Sequence, residues 1–347
     1  MTNISCFNRL VLASPHRLAL PIAVYPGLAL TGARVSDIVT NPQAQFDAQA
    51  ALHARYRTPF VLSAMDLSAE AEAFGCTLHL ADNEVPSVTG RLVTCLAEAQ
   101  KLAVPQPGDR RTGLYLETVR RLRTLSGAPL VLGGCIGPFS LAARLAGVTE
   151  ALELTLTEPE LIHTLLEKAA GFLTAYALAF KAAGAHGLIM AEPAAGLLSP
   201  RALATFSSAY IKPIAAAVAD GEFTLILHNC AAKLFHLPAI LETGLNTFHF
   251  GAPMDLATAL GKVGPEVVLC GNLDPTGVFC QLPPEGVTLR ATELLAATAA
   301  QRNFVLSSGC DLPPTAPLAS LDAFYAAVGS SPQDESRSVN KQTPRHQ

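Results

Sequence analysis

Charge is scarce in this sequence: 15% of its 347 residues are Asp, Glu, Lys or Arg, and the net charge is only −4. Such a chain lacks the basic field with which nucleic-acid binders hold phosphates, so general nucleic-acid binding is excluded. Long apolar runs are lacking too. The stretch from Leu18 to Leu30 is broken by Pro21 and Pro26 and is too short to cross a bilayer, and no basic-then-apolar leader opens the chain. The eight cysteines, at 6, 76, 95, 135, 230, 270, 280 and 310, are too dispersed for a secreted disulfide scaffold and point to a reducing compartment. A soluble, cytoplasmic protein with no membrane and no nucleic-acid partner is expected. Core material, by contrast, is plentiful: half of the residues are hydrophobic.

That material recurs in short runs. Residues 59–63, 77–80, 129–134, 187–190, 224–230, 247–250, 267–270 and the run from Asn303 toward Cys310 read as strands, with helical sequence between them. Eight strands alternating with helices predict an α/β fold, a (β/α)8 TIM barrel in a single domain. The rival, a doubly wound sheet, would carry a glycine-rich phosphate turn after its first strand, and none occurs. Residues 1–56 read as an N-terminal extension packed on the barrel, an irregular Pro/Gly segment and then a helix capped by Asn41 and opened by Pro42. The barrel occupies 57–329, and the polar tail 330–347 is expected to be disordered. A capping box, Thr157 with Glu160, opens a long helix that Gly184 stops, and Ser199-Pro200 starts another.

The run Thr224-Leu225-Ile226-Leu227-His228-Asn229-Cys230 ends in a histidine and a cysteine two positions apart. On a strand, period two puts both on one side of the backbone at its exit. The last run repeats the plan and delivers Cys310. One imidazole and two thiolates make three protein ligands, the number expected of a catalytic Zn2+ that keeps its fourth position for substrate. Glu192 and Asn272 also fall at carboxyl ends of strands, where barrel chemistry sits. Ordinary explanations stand beside each: a buried, inert Cys310, a helix-start or salt-bridge role for Glu192, and a solvated acidic helix start for Asp66, Glu70 and Glu72. The arginines between 110 and 123 read as a solvated helix face, or else as contacts for an acidic partner or a substrate anion, and His249 as a core residue.

The segments Gly137-Pro138-Phe139-Ser140-Leu141-Ala142, Ala195-Gly196-Leu197-Leu198-Ser199-Pro200 and Gly271-Asn272-Leu273-Asp274-Pro275 resemble the uroporphyrinogen decarboxylase superfamily over about residues 20 to 329. Within it, His228-Asn229-Cys230, Ser-Gly-Cys ending at Cys310, and Met65-Asp66-Leu67-Ser68 followed by Glu70-Ala71-Glu72-Ala73 are similar to the branch of zinc-dependent methylcobamide:coenzyme M methyltransferases. The arginine-rich N-terminal signature of the decarboxylases is missing, since Arg9, Arg17 and Arg34 stand apart. The resemblance implies His228, Cys230 and Cys310 as zinc ligands, Glu192 as a displaceable ligand or proton acceptor, and Asp66 and Asn272 as pocket residues. No Asp-x-His-x-x-Gly corrinoid-attachment motif occurs, so the methylcobamide donor is expected on a separate corrinoid protein, with a small-molecule thiol as acceptor. Three rivals remain: a folate acceptor on the same fold, a decarboxylase-type lyase, and a non-catalytic zinc or corrinoid-handling protein.

Overall fold

Seven of the apolar runs pair side by side into one curled parallel sheet. The structure, a computed structural model, describes residues 4–329, so the tail 330–347 lies outside the described residues. In chain order the strands are β1 (Phe60–Leu62), β2 (Thr77–Ala81), β3 (Glu84–Thr89), β4 (Leu130–Ile136), β5 (Gly187–Ala191), β6 (Thr224–Asn229), β7 (Thr247–Phe250), β8 (Val268–Leu273) and β9 (Phe304–Ser308). The large sheet runs β1-β4-β5-β6-β7-β8-β9. Its order follows the chain without the reversal that defines a doubly wound sheet. Every residue of β5, β6, β7 and β9 is buried, as parallel strands covered on both faces require.

The run at 77–80 does not join this sheet, which corrects the eight-strand assignment. It pairs antiparallel with β3 across Asp82-Asn83 as a separate hairpin. No side chain of β2 is fully buried, so it could not line a covered sheet. The segment Leu18–Ile22, expected to be irregular, lies along β9 instead. The Leu20 amide donates to Leu306 O at 2.9 Å, and the Leu306 amide to Leu18 O at 3.0 Å. The Ile22 amide donates to Ser308 Oγ at 2.9 Å. Because Leu20 and Ile22 turn their amides toward β9, the missing N–H of Pro21 falls on the other side and costs no bond there. On that side Gln49 donates to Ala23 O at 2.6 Å and accepts from the Leu62 amide at 3.0 Å, joining the segment to β1 through a buried side chain.

Helix boundaries follow local chemistry. Asn41 caps helix Pro42–Tyr56 and Ser199 caps the helix that begins at Pro200. The long helix is Pro159–Ala182, and Gly184 stops it at φ +96. Its expected capping box does not form: Thr157 belongs to the preceding helix, where its hydroxyl donates back to Glu153 O at 3.1 Å. Phe172, Tyr176 and Phe180, at i, i+4 and i+8, stack along one face of the long helix. Phe180 fits over Gly133 of β4, where an added Cβ would sit 2.6 Å from its ring. Each such fully buried aromatic contributes about 1.5–3 kcal/mol, which fixes the helix against the sheet below the strand ends that carry the site.

Candidate metal centre

At the carboxyl ends of β6 and β9 the structure brings His228, Cys230 and Cys310 together, their ligand atoms all within 4.8 Å of one another. Strand geometry accounts for the first two: His228 is the penultimate residue of β6 and Cys230 follows its end. Cys310 arrives two residues beyond β9, and glycines let the loops close. A Cβ at Gly251, after β7, would come within 2.1 Å of Cys230 O, and one at Gly309 would lie 2.9 Å from the Ala252 amide nitrogen. Larger residues would hold the two cysteine loops apart.

The sulfurs behave as a pair. The hydrogen bond with Cys310 is the largest influence on Cys230 and brings its thiol down to about 7 against the opposing effect of burial. The same bond, with burial, pushes Cys310 up to about 12, while the nearby His228 imidazole acts weakly the other way. The first of these protons is thus easy to lose and the second hard, and a divalent cation held by both sulfurs would displace both. His228 is buried; its Nδ1 lies 2.8 Å from His249 Nδ1, and its Nε2 is a buried nitrogen with no hydrogen-bond partner. A buried imidazole nitrogen left unpaired beside two cysteine sulfurs is a donor set that fits a thiophilic cation such as zinc. His249, assigned to the core by sequence, is therefore in contact with the candidate ligand; only its register opposite His228 on β7 could have signalled this.

The other predicted residues occupy the same end of the sheet but are engaged by their own chain. Glu192 follows β5 and is buried. Its Oε1 accepts from the Phe139 amide at 2.8 Å and from Ser207 Oγ at 3.2 Å; its Oε2 accepts from the Ser140 amide at 2.8 Å and from Ser140 Oγ at 2.6 Å. Burial raises its pKa while these four donors pull it back. It sits at the N-terminus of helix Pro138–Ala146, where unpaired amides and the helix dipole favour a carboxylate, and it is not among the converging ligand atoms. Asn272, in β8, donates to Gly251 O at 3.0 Å and Met254 O at 2.6 Å, bracing the loop that backs Cys230.

Asp66 and Glu70 are not a solvated helix start, because both are buried. Asp66 accepts from Ser68 Oγ at 2.6 Å, from the Tyr115 hydroxyl at 3.0 Å and from Arg111. Arg111 also reaches Glu72 at 2.7 Å, so it leaves the solvated face expected for the arginines of 110–123. Glu70 accepts from the Ile136 amide at 3.0 Å through Oε1, while Oε2 has no partner, and burial pushes its carboxyl up to about 8. Tyr25 and Asp311 likewise present a buried, unpartnered oxygen at this end of the sheet. Two clefts, of about 530 and 920 Å3, open near the amino ends of the strands and contain none of the predicted site residues. Among the described residues no helix is long and apolar enough to cross a membrane.

Comparison with known proteins agrees with this architecture. A methylcobamide:CoM methyltransferase, MtbA, of Methanosarcina mazei is 31% identical over 269 residues, 76% of either chain. A uroporphyrinogen decarboxylase of Psychromonas ingrahamii is 29% identical over 277 residues, 75% of this chain and 76% of that one. The solved structure of a methyltransferase from Methanosarcina mazei superposes with a TM-score of 0.84, covering 97% of this chain and all of that one at 22% identity, a likeness of fold. Residues 26–331 match the family described as Uroporphyrinogen decarboxylase (URO-D), and the chain belongs to that family.

Proposed function

We propose that this protein is a methyltransferase that moves a methyl group from a methylated cobamide, carried by a separate corrinoid protein, to a thiol acceptor such as coenzyme M. The carrying observation is the convergence of His228, Cys230 and Cys310 with one imidazole nitrogen left unpaired. These residues would hold Zn2+, and bound zinc would supply the positive charge that keeps an acceptor thiol as its thiolate near pH 7. Cys230 and Cys310, both deprotonated, would balance that charge and leave the acceptor sulfur electron-rich. In the transfer, a sulfur lone pair forms the S–CH3 bond as the Co–C bond breaks, and its electron pair stays with cobalt. The acceptor's proton would pass to solvent as the thiolate forms, before that step.

Around the ligands, Asn272, which binds the Gly251 and Met254 carbonyls, would hold the loop against Cys230, and Asp66, fixed by Arg111 and Tyr115, would help shape the same pocket. Glu192 would act as a displaceable ligand or proton acceptor by giving up one of its four donors. We further propose that Leu18–Ile22 closes the sheet into a (β/α)8 barrel whose other seven strands lie in residues 57–329, with the rest of 1–56 packed on it, and that the protein works in the cytoplasm. The 29% identity with a decarboxylase keeps a lyase as the second reading; the absence of an N-terminal arginine cluster, Arg9, Arg17 and Arg34 standing apart, and the His-Cys-Cys trio favour the methyltransferase. Loss of the methyl–cobalt absorbance of methylcobalamin is expected with coenzyme M and zinc, and not without zinc. Demethylation driven by a reduced folate and by no thiol would move the acceptor to folate; decarboxylation of a porphyrinogen with no demethylation would establish the lyase.

A further inference from the structure

His249 is fully buried, and it links the candidate ligand to the N-terminal segment. Its Nδ1 lies 2.8 Å from His228 Nδ1, its Nε2 lies 2.7 Å from Ser307 Oγ, and the Ser307 hydroxyl reaches the carbonyl of Leu20. The direction of every bond follows from the end of this chain. A carbonyl oxygen can only accept, so the single hydroxyl proton of Ser307 goes to Leu20. Ser307 Oγ must then accept, and His249 carries its proton on Nε2. Neutral His249 therefore offers a lone pair at Nδ1, and His228 donates its Nδ1 proton to it. Reversing the chain would set two lone pairs against each other between Ser307 and Leu20. Charging His249 would place an imidazolium in the interior, where an ion is costly.

What remains on His228 is an unprotonated Nε2, buried with no hydrogen-bond partner, and with Nδ1 taken by His249 it is the nitrogen free to join the two sulfurs of the group. We infer that His249 and Ser307, anchored on the Leu20 carbonyl, are positioning residues that hold His228 in its Nδ1-protonated tautomer and turn the Nε2 lone pair toward the metal. The inference rests on the metal reading above and adds to it the N-terminal segment, whose backbone supplies the last acceptor. Unanchored, the imidazole would favour the other tautomer part of the time and would pay to reorient at each binding event. Partners of this kind are worth about 10–100-fold in metal affinity.

The tautomer is read in the metal-free protein from 15N-histidine NMR, and zinc affinity by competition with a chromophoric chelator. His228 should show a protonated Nδ1 and a bare Nε2 in the wild type. His249→Leu and Ser307→Ala should scramble that pattern and weaken zinc binding by about 10–100-fold. His249→Asn, which can put an oxygen acceptor near the lost Nδ1, should recover both. Ser307→Ala keeps the larger side chain and so keeps the test open if His249→Leu does not fold. A wild-type His228 protonated on Nε2, or zinc affinity unchanged in both His249→Leu and Ser307→Ala, would overturn the relay. A wild type that binds no zinc would contradict the metal reading instead, and the metal-free tautomer would still decide the relay by itself.

Discussion

Two sides of the same strand ends treat their polar groups in opposite ways. On the β1-β4-β5 side, Glu192 has four donors and Asp66 is enclosed by Arg111, Tyr115 and Ser68. On the β6-β9 side, two cysteine sulfurs face each other, one thiol lowered and the other raised by their contact, and the buried Nε2 of His228 makes no hydrogen bond of ordinary geometry. A polar group satisfied by its own chain stabilises that chain, whereas a buried group left unsatisfied costs stability unless something else meets it. The contrast makes the second side the candidate for ligand binding and leaves the first side's carboxylates held by their own chain, so that Glu192 would have to release a donor to take part; Glu70, buried and half-satisfied, is the exception on the first side.

The sharpest way to break the contrast is at the thiols. Cys230→Ala or Cys310→Ala should lower zinc affinity by more than about a hundredfold, beyond what an outer partner contributes, while the fold persists. Elemental analysis of the purified variants checks this, and full zinc in both would erase the distinction. Next in size, Asp66→Asn leaves buried Arg111 short of a charge partner and should cost about 3 kcal/mol of stability by denaturant unfolding, with little change in zinc content.

Glu192→Gln replaces an acceptor oxygen by an amide that must face donors. A loss of about 1–3 kcal/mol is expected, with zinc affinity nearly unchanged. Slower transfer beyond that loss would support a proton-handling role; weaker zinc binding would make Glu192 a ligand. The last effect is the pH-dependent one at Glu70. Its folded carboxyl sits near 8 against an ordinary 4.5. The folded protein thus keeps a proton that the unfolded chain releases, so its contribution to stability is full below about pH 4.5 and is lost as the pH rises through 8. Glu70→Gln should therefore flatten the fall of Tm between about pH 4.5 and pH 8; an unaltered pH profile would show that Glu70 is solvated.

The candidate ligands were legible in the sequence because their spacing is local: period two fixes His228 and Cys230 on one side of a strand, and a short strand followed by Ser-Gly-Cys repeats the plan. The run at 77–80 was misplaced because a short apolar alternation reads alike in a sheet interior and a hairpin; Asp82-Asn83 before a second β-prone run was the available turn signal. Leu18–Ile22 was hidden by Pro21, whose cost depends on which side of the strand pairs. Burial of Glu70, Asp66 and Arg111 was unreadable for a different reason. Charges that cluster in sequence look solvated, and it takes contacts 45 residues apart, such as Arg111 with Asp66, to bury them. His249 was missed likewise, since its partners His228 and Ser307 lie 21 and 58 residues away.

Zinc-edge X-ray absorption tests the central claim most directly, because it counts the atoms bound to the metal without relying on turnover. The wild type should show one nitrogen from His228 and two sulfurs from Cys230 and Cys310, with Zn–S near about 2.3 Å. Adding coenzyme M should raise the sulfur count by one as the acceptor takes the open position. A zinc shell without two sulfurs, or a shell that coenzyme M leaves unchanged, would contradict it.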